Sequence, residues 1–241
     1  MRQVLGRIPK SPRCKTCQAP FEGPFKSIFV LLGKEPFVKN PRYCRSCYRG
    51  LTEKKGGAEV QLSMLFADVR GSTPLAERLG PANLAKVMDR FYSTGVEILI
   101  RHDALVERFM GDQVVGYFFP GFAGPNHARA AIRAGLELLR ATGHTPGEEP
   151  WVSVGIGVHT GEAFVGTVGT EILEFTALGE EVNLAARLVS AAAAGELVAS
   201  EAAFAAAGMT TQVERRQLQL KGVSSLADVR ILDARATVPT D

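Results

Sequence analysis

The spacing of apolar residues predicts that one strand and two helices open the larger part of the chain. Within Gln61–Thr73, a short apolar run indicates a buried strand that ends at Asp68. Pro74–Arg101 carries apolar residues at near-helical spacing, and Gly80-Pro81 interrupts this pattern. We therefore expect a short helix followed by a longer one.

Two pairs of apolar runs predict β-hairpins further along the chain. Ala104–Phe119 contains two runs joined by Gly111-Asp112, a dipeptide typical of a tight turn. Trp151–His159 and Ala163–Val168 flank Thr160-Gly161-Glu162. We expect a second turn at these three residues.

The remaining segments complete a pattern of alternating helices and strands. Asn126–Arg140 and Val182–Ala193 have the spacing of helices, and Phe175–Leu178 has that of a short strand. Residues 196–233 alternate strand, helix and strand. This order predicts an α+β fold, a sandwich with helices on one face of a sheet.

The sequence lacks the motifs of a doubly wound nucleotide-binding fold. It has no Walker lysine motif, and no G-x-G-x-x-G follows a strand. Gly155 and Gly157 lie inside a predicted strand. There they indicate close approach of another backbone rather than phosphate binding.

Composition narrows the class of protein only a little. The 241 residues are 46% hydrophobic and 22% charged, as in an ordinary globular protein, and the net charge of +3 is too small to indicate nucleic acid. Apolar runs such as Ile28–Leu32 are far shorter than a membrane span. The basic N-terminus lacks the apolar region of a secretory signal. We expect no membrane association and a cytoplasmic location.

Four cysteines near the N-terminus have the spacing of a metal site. Cys14 and Cys17 form one C-x-x-C pair, Cys44 and Cys47 form another, and 26 residues separate the pairs. Two such turns can complete a tetrahedron of thiolates, as in a zinc ribbon. The missing secretion signal disfavours disulfides, whereas an iron–sulfur cluster stays open as an alternative. We expect structural zinc.

These patterns divide the chain into five segments. A flexible lead, 1–13, precedes a metal-stapled, zinc-ribbon-like module whose small apolar content requires a metal for folding. A polar linker joins it to the main domain, and a loose tail follows. The predicted bounds after the lead are 14–50, 51–59, 60–233 and 234–241.

Asp68 and Asp112 are candidate ligands for divalent cations. Asp68 ends a strand beside a helix N-terminus that begins near Gly71, Ser72 and Thr73, a position where N–H groups attract phosphate. A hairpin next to that strand brings Asp112 close, and two converging carboxylates repel each other unless a cation lies between them. Taken alone, each aspartate is equally typical of an ordinary turn.

Asn183 and Arg187 form a second candidate pair. Four residues apart on a helix, they share one face, while Leu184, Ala185 and Leu188 face the core. An amide and a guanidinium suit a ribose and a phosphate that gains charge during reaction.

Four separated stretches, in this order, resemble the class III adenylyl and guanylyl cyclase catalytic domain. They are FADVRGST (66–73), RFMGDQVV (108–115), FTALGEEVNLAARL (175–188) and Leu220-Lys221-Gly222. The resemblance covers residues 60–233 and implies the family's ferredoxin-like sandwich, with a central, mostly antiparallel sheet and flanking helices. It also implies an enzyme, an adenylate cyclase that converts ATP to 3′,5′-cyclic AMP and pyrophosphate.

The resemblance assigns a role to each motif. Two Mg²⁺ or Mn²⁺ ions per active site would be held by Asp68, Asp112 and the backbone carbonyl of Val69, and would assist attack of the ribose 3′-hydroxyl. Asn183 and Arg187 would orient the ribose and stabilise the reacting phosphoryl group. Lys221 would bind the terminal phosphates.

Base recognition is where the sequence departs from the family pattern. Arg108 stands where adenylyl cyclases have a lysine, and Thr176 stands at the partner position, where it suits adenine. Arginine can donate to adenine or to guanine, so it does not fix the base. We favour ATP, with GTP or loose base choice as the alternative. We expect Glu180 and Glu181, where an aspartate is common, to face solvent.

The family's active sites are shared between two chains, which implies a homodimer with two complete sites. A different class of function is a catalytically silent cyclase homologue that senses nucleotides or regulates a partner. A third is a nucleic-acid binder, since Arg13, Lys15, Arg42, Arg45 and Arg49 make the module basic. We expect a regulatory protein, rather than nucleic acid, as the module's partner.

Overall fold

The computed structural model describes most of the chain and divides it into two compact units. One unit contains Met1–Glu59 and Phe164–Ala177, and the other contains Val60–Ala163 and Leu178–Asp241. The polar segment 51–59 is not simply a linker, because a helix extends to Thr52 and a strand starts at Gly56. The described residues are 12–38, 40–52, 56–106, 111–169, 174–210, 212–219, 226–236 and 238.

The N-terminal part of the first unit is built around its cysteines. Cys14, Ala19, Phe21 and Cys44 are buried together, and Phe29 packs against them. The two strands of this part pair antiparallel. Its elements are α1 (Lys26–Leu31), β1 (Pro36–Phe37), β2 (Asn40–Cys44) and α2 (Arg45–Thr52).

From Gly56 onward, most elements of the chain follow the predicted order. The short and long helices separated by Gly80 are confirmed, as is the antiparallel pairing of the strands on either side of Gly111-Asp112. The elements from the linker onward are β3 (Gly56–Val69), α3 (Ser72–Leu79), α4 (Pro81–Arg101), β4 (Leu105–Val106), β5 (Gln113–Phe118), α5 (Pro120–Ala123), α6 (His127–Ala141), β6 (Val154–Val168), β7 (Glu174–Leu178), α7 (Glu180–Ala191), β8 (Leu197–Ser200), α8 (Glu201–Ala206), β9 (Glu214–Leu218) and β10 (Ala227–Leu232).

One mixed sheet forms the centre of the fold. Its strand order is β4-β5-β3-β6-β8-β10-β9, and β7 also pairs with β6. The pairs β4/β5, β3/β5, β8/β10 and β9/β10 are antiparallel, and β6/β8 is parallel. The predicted α+β fold with a mostly antiparallel sheet and flanking helices is confirmed.

The expectation of a turn at Thr160–Glu162 is wrong, because β6 runs without a break from Val154 to Val168. Gly161 lies inside the strand for a packing reason. A Cβ at this position would lie 2.6 Å from the carboxylate of Glu181. The glycine therefore marks close approach of another element rather than a bend.

Helices cover both faces of the sheet, not one face as the element order suggested. On one face, a Cβ at Gly135 of α6 would meet Leu197, Ile156 and Leu65. On the other face, α7 packs against the next residue of β6, Gly157. Neighbouring residues of a strand point to opposite faces, so β6 is buried on both sides.

The segment after residue 233 is not a loose tail in its described part. Ala234 is buried in the main core, and Ala236 and Val238 pack against that core. The side chain of Arg140 donates 2.8 Å hydrogen bonds to the carbonyl oxygens of Ala234 and Ala236. These bonds fix the segment against α6.

Candidate active site

Asp68 and Asp112 lie beside each other because β3 and β5 pair antiparallel. The register places Asp68 opposite Gln113, the residue that follows Asp112. The backbone N–H of Val69 donates a 3.2 Å hydrogen bond to the carbonyl oxygen of Asp112. The sequence-based expectation that these carboxylates converge agrees with this geometry.

The electrostatics of the pair suit a cation. Burial raises the pKa of Asp68, the charge of Arg70 opposes that shift, and repulsion and hydrogen bonding from Asp112 raise the pKa further. Two close carboxylates therefore resist carrying two negative charges together. Oxygen ligands of this kind are those that Mg²⁺ and Mn²⁺ prefer, so the donor set fits a divalent cation.

Arg70 is part of this site although the motif analysis gave it no role. Its guanidinium forms an ion pair with the carboxylate of Asp68, and its backbone N–H donates a 2.7 Å hydrogen bond to the carbonyl of Ser153. Arg70 is the first residue after β3 and is only two positions from Asp68, and this closeness in sequence was a signal that could have revealed it.

Tyr92 is a second residue that the motifs did not indicate. Its hydroxyl donates a hydrogen bond to the carbonyl oxygen of Gly111, the residue before Asp112. Burial and then the charge of Asp112 raise the pKa of Tyr92, so the hydroxyl keeps its proton at neutral pH. This bond ties helix α4 to the turn that carries Asp112.

The glycine after the first aspartate starts helix α3. Gly71 has a φ of 67°, a left-handed conformation in which a side chain is disfavoured. Ser72 and Thr73 follow as the first residues of the helix, whose opening N–H groups have no partner within the helix itself. The predicted helix start after Gly71 is confirmed, and phosphate binding at these residues stays a prediction.

Asn183 and Arg187 both lie on α7, as the spacing predicted. Asn183 is exposed, Arg187 is half-buried, and the predicted core-facing residues Ala185 and Leu188 are fully buried. Leu184 is partly buried against the cluster that contains Leu188. The helix thus presents the amide and the guanidinium away from its apolar face.

Close backbone contact at Gly155 and Gly157, predicted from the sequence, is confirmed. A Cβ at Gly157 would overlap the backbone nitrogen of Val189 and lie 2.9 Å from the carbonyl oxygen of Ala185. A Cβ at Gly155 would lie 3.1 Å from the Cβ of Ala192. Helix α7 therefore rests directly on the backbone of β6.

The aspartates and Asn183 are at opposite ends of α7. A Cβ at Gly155 would lie 3.0 Å from Arg70 Nε as well as next to Ala192, so the Asp68–Arg70 pair lies near the C-terminal end of the helix. Asn183 is nine residues earlier, about 13 Å along the helix axis. One chain does not bring Asn183 to its own aspartates.

The remaining candidate residues are placed only in part. Thr176 lies half-buried on β7, and its hydroxyl donates a 3.4 Å hydrogen bond to the carbonyl of Ala177. Arg108 and Lys221 lie outside the described residues.

Glu181 departs from the expectation that both first-turn glutamates face solvent. Glu180 is exposed, but the carboxylate of Glu181 accepts a hydrogen bond from the buried ring of His159. The side chain of His159 is 5% exposed, and that of Glu181 is 38% exposed. Glu181 therefore anchors the first turn of α7 to the sheet.

The four cysteines converge on one point in the first unit. All four are free thiols, and their Sγ atoms lie within 4.8 Å of one another, with Cys17 and Cys44 at 3.7 Å. Four thiolates around one Zn²⁺ at about 2.3 Å stand about 3.8 Å apart. The backbone N–H groups of Cys44 and Cys47 donate hydrogen bonds to the sulfur atoms of Cys14 and Cys44.

The thiols influence one another strongly. Hydrogen bonding from Cys44 lowers the pKa of Cys14 to about 4, whereas hydrogen bonding to Cys14 and burial raise the pKa of Cys44. A cation would remove this opposition by allowing every sulfur to be a thiolate. The geometry and the donor chemistry both fit a tetrahedral metal ion.

Helix α1 leaves an apolar surface next to the cysteines. Phe29 packs inward, but most of the helix's other large apolar side chains face outward. Of the eight exposed large hydrophobic residues among the described residues, six lie between positions 25 and 38, in α1 or close to it. They are Phe25, Ile28, Val30, Leu31, Leu32 and Val38.

Comparison with known proteins identifies the family. The model of the adenylate and guanylate cyclase catalytic domain matches residues 57–230. The chain therefore belongs to this family, the class III nucleotidyl cyclases, and the resemblance inferred from the four motifs is confirmed.

Solved structures of both substrate classes are similar to the chain. The guanylyl cyclase Cya2 is 29% identical with a TM-score of 0.66, and the alignment covers 73% of this chain and 93% of Cya2. The adenylyl cyclase CyaB from P. aeruginosa is 27% identical with a TM-score of 0.66, covering 75% of this chain and 97% of CyaB.

Curated relatives are longer proteins. The Mycobacterium tuberculosis (strain ATCC 25618 / H37Rv) protein Rv1318c is 36% identical over 158 residues, covering 64% of this chain and 28% of the relative. Rv1319c from the same strain is 34% identical over 135 residues, covering 55% and 24%. The chain spans about a quarter of the length of the curated relatives it matches.

None of the helices in the described residues is both long and apolar enough to cross a bilayer.

Proposed function

We propose that this protein is an adenylate cyclase that converts ATP to 3′,5′-cyclic AMP and pyrophosphate. The observation that carries the proposal is the placement of Asp68 and Asp112 side by side at the end of two paired strands. A close carboxylate pair suits two divalent cations, and a helix N-terminus beside it suits the phosphates.

The reaction needs no protein nucleophile. The ribose 3′-oxygen forms a bond to the α-phosphorus, the bond from that phosphorus to the bridging oxygen breaks, and pyrophosphate leaves. The hydroxyl proton passes to solvent. Two divalent cations, when bound by Asp68, Asp112 and the carbonyl of Val69, would supply the charge that acidifies the hydroxyl and neutralises the phosphates.

The chain's other residues bind and orient the substrate in this proposal. The first N–H groups of α3, at Ser72 and Thr73, attract the phosphates because a helix start carries partial positive charge. The amide of Asn183 orients the ribose. The guanidinium of Arg187 stabilises negative charge that develops on the reacting phosphoryl group, and Lys221 binds the terminal phosphates.

We further propose that each active site is shared by two chains of a homodimer. The separation of about 13 Å along α7 between Asn183 and the end of the helix near Asp68 supports this arrangement. In a head-to-tail dimer, one chain supplies the aspartates, and its partner supplies Asn183, Arg187 and Lys221. A monomer would then lack a complete site.

The proposal also includes the nucleotide base that the enzyme prefers, adenine rather than guanine. Thr176 suits adenine, whereas Arg108 also suits the carbonyl of guanine. Guanylate cyclase activity, or activity with both ATP and GTP, is therefore the second candidate. The similarity to the guanylyl cyclase Cya2 supports this alternative.

For the N-terminal part we propose structural zinc bound by Cys14, Cys17, Cys44 and Cys47. The sulfur separations favour a single ion, because an iron–sulfur cluster places iron and sulfide between the thiolates and holds them farther apart. The proposed setting is the cytoplasm. A regulatory protein would contact this part of the chain.

The direct experiment is incubation of the purified protein with Mn²⁺ and either ATP or GTP, followed by measurement of cyclic nucleotide and pyrophosphate. We expect cyclic AMP from ATP. Formation of cyclic GMP from GTP, with no product from ATP, would support the cyclase reaction and overturn the proposed preference for ATP. No product from a dimeric sample loaded with metal would favour the catalytically silent, regulatory alternative.

A further inference from the structure

One row of β6 faces helix α7 and consists almost entirely of glycine. Alternate residues of a strand share a face, so Gly155, Gly157, His159 and Gly161 form this row. Three of the four have no side chain, and the fourth, His159, is buried. This row, called the glycine track below, is therefore a shallow surface from which only the side chain of His159 projects.

The glycines let the helix lie directly on the strand. A Cβ at Gly157 would lie 2.9 Å from the carbonyl oxygen of Ala185, and a Cβ at Gly161 would lie 2.6 Å from Glu181 Oε2. Both distances are shorter than a normal contact. A side chain at Gly157 would displace the backbone of α7, whereas one at Gly161 would displace the side chain of Glu181. Leu188 and Ala192 also pack against Val198, Val229 and Ile231, so apolar contacts hold the later part of the helix rather than its first turn.

His159 holds the first turn of α7 through a series of hydrogen bonds. Glu181, in the first turn of α7, accepts from Nε2 of His159, whose Nδ1 lies 2.8 Å from the hydroxyl of Ser200. Ser200 Oγ in turn accepts a 3.1 Å hydrogen bond from the backbone N–H of Ala203 and so caps helix α8.

These bonds select one protonation state of the imidazole. Burial lowers the pKa of His159, although hydrogen bonding and the charge of Glu181 oppose this, so the ring is neutral at pH 7. A carboxylate only accepts hydrogen bonds, so the proton lies on Nε2. The hydroxyl of Ser200 then donates to Nδ1 while its oxygen accepts from Ala203, so both ring nitrogens of His159 have partners.

We propose that the His159–Glu181 hydrogen bond fixes the position of α7 on the glycine track and thereby orients Asn183 and Arg187 for transition-state stabilisation. His159 and Glu181 are positioning residues in this account, since neither touches the substrate. The inference rests on the proposed cyclase function of Asn183 and Arg187.

The place of Glu181 in the helix explains why one hydrogen bond matters. Asn183 is only two residues after Glu181, and its N–H closes the first turn of the helix with a 3.4 Å hydrogen bond to the carbonyl oxygen of Gly179. First turns open more easily than helix interiors. An anchor at Glu181 therefore acts on the segment that carries Asn183, whereas packing of Ala185 and Leu188 holds the rest.

The test compares Glu181→Ala, Glu181→Gln and the control Glu180→Ala. Glutamine keeps an oxygen that can accept from His159, and Glu180 is an exposed carboxylate in the same turn. Each variant is assayed for kcat and KM with ATP and GTP at equal dimer fraction. Amide hydrogen exchange over residues 179–192 is measured on the same samples.

For Glu181→Ala we expect kcat to fall about tenfold or more with KM changed less than about threefold, because only an interaction of the transition state is misplaced. Exchange in the first turn of α7 should rise. Glu181→Gln and Glu180→Ala should stay within about threefold of the wild type in both measurements.

Three outcomes would overturn the proposal. One is wild-type kcat and exchange in Glu181→Ala. Another is faster exchange without loss of kcat, which would make the bond structural only. The third is equal loss in Glu180→Ala, which would assign the effect to charge at the helix start. If the wild type makes no cyclic nucleotide, the proposed function fails, and the exchange data still decide whether this bond holds α7.

Discussion

The backbone N–H of Val69 donates a hydrogen bond of 3.2 Å to the carbonyl oxygen of Asp112. This bond joins the end of β3, which carries Asp68, to the turn that holds Asp112 directly before β5. It also leaves the carbonyl oxygen of Val69, the third proposed ligand, on the same strand end as Asp68. The site is therefore held by sheet pairing rather than by loop packing.

Removal of either carboxylate should stop turnover. We expect Asp68→Asn or Asp112→Asn to lower the rate of cyclic nucleotide formation about a thousandfold or more, since several kcal/mol of charge stabilisation depend on the bound cations. The measurement is product formation with Mn²⁺ at saturating nucleotide. Asp89→Asn, on the exposed side of α4, is the control and should retain wild-type activity.

Complementation between two inactive variants should reveal the shared site. Arg187→Ala alone should lose about a hundredfold in kcat, as does loss of other groups that stabilise developing charge. Mixing it with Asp68→Ala should restore activity, because one of the two sites in a heterodimer then carries neither substitution. An equal mixture that stays as inactive as its components would contradict the shared-site dimer.

Metal content should follow the four cysteines. We expect about one zinc ion per chain by elemental analysis, and its loss in Cys14→Ser or Cys44→Ser, because each removes one of four converging sulfur atoms. Chelation should lower the melting temperature of the N-terminal part, since metal binding stabilises a module with a small core. Iron in place of zinc would contradict the assignment.

A side chain at Gly157 should destabilise the fold. We expect Gly157→Ala to lower the free energy of unfolding by about 1–3 kcal/mol, because its methyl group would press α7 away from β6. Gly121→Ala, where nothing lies within 4 Å of the added methyl, is the matched control and should cost less than about 0.5 kcal/mol. Urea denaturation of both variants provides the comparison.

Buried histidines should make stability depend on pH. Burial lowers the pKa of His127, His144 and His159 from the ordinary value of 6.5. The unfolded chain therefore binds more protons just below pH 6.5, and stability should fall as the pH drops through that window. The slope is at most about 1.4 kcal/mol per pH unit for each histidine.

Urea denaturation at pH 7.5, 6.5 and 5.5 would measure this slope. We expect the free energy of unfolding to differ little between pH 7.5 and pH 6.5 and to be clearly lower at pH 5.5. His127→Gln should reduce the slope, because it removes one buried group that resists protonation. Stability that rises toward pH 5.5 would have the wrong sign for this mechanism.

Sequence-based prediction succeeded for helices whose apolar residues recur at helical spacing. Helices α3, α4, α6 and α7 follow from helical spacing and from the interruption at Gly80. The turn expected at Thr160–Glu162 failed because glycine serves two purposes. It permits bends, and it also permits close packing, and only the presence of α7 over Gly161 distinguishes the two.

The sequence by itself determined the family, the fold class and the candidate catalytic residues, because each motif keeps its chemistry within a few neighbouring positions. Tertiary structure alone decided that helices cover both faces of the sheet, that Arg70 pairs with Asp68, and that His159 holds Glu181. These relationships join residues from separate elements. They depend on how the strands and helices pack, which local spacing does not encode.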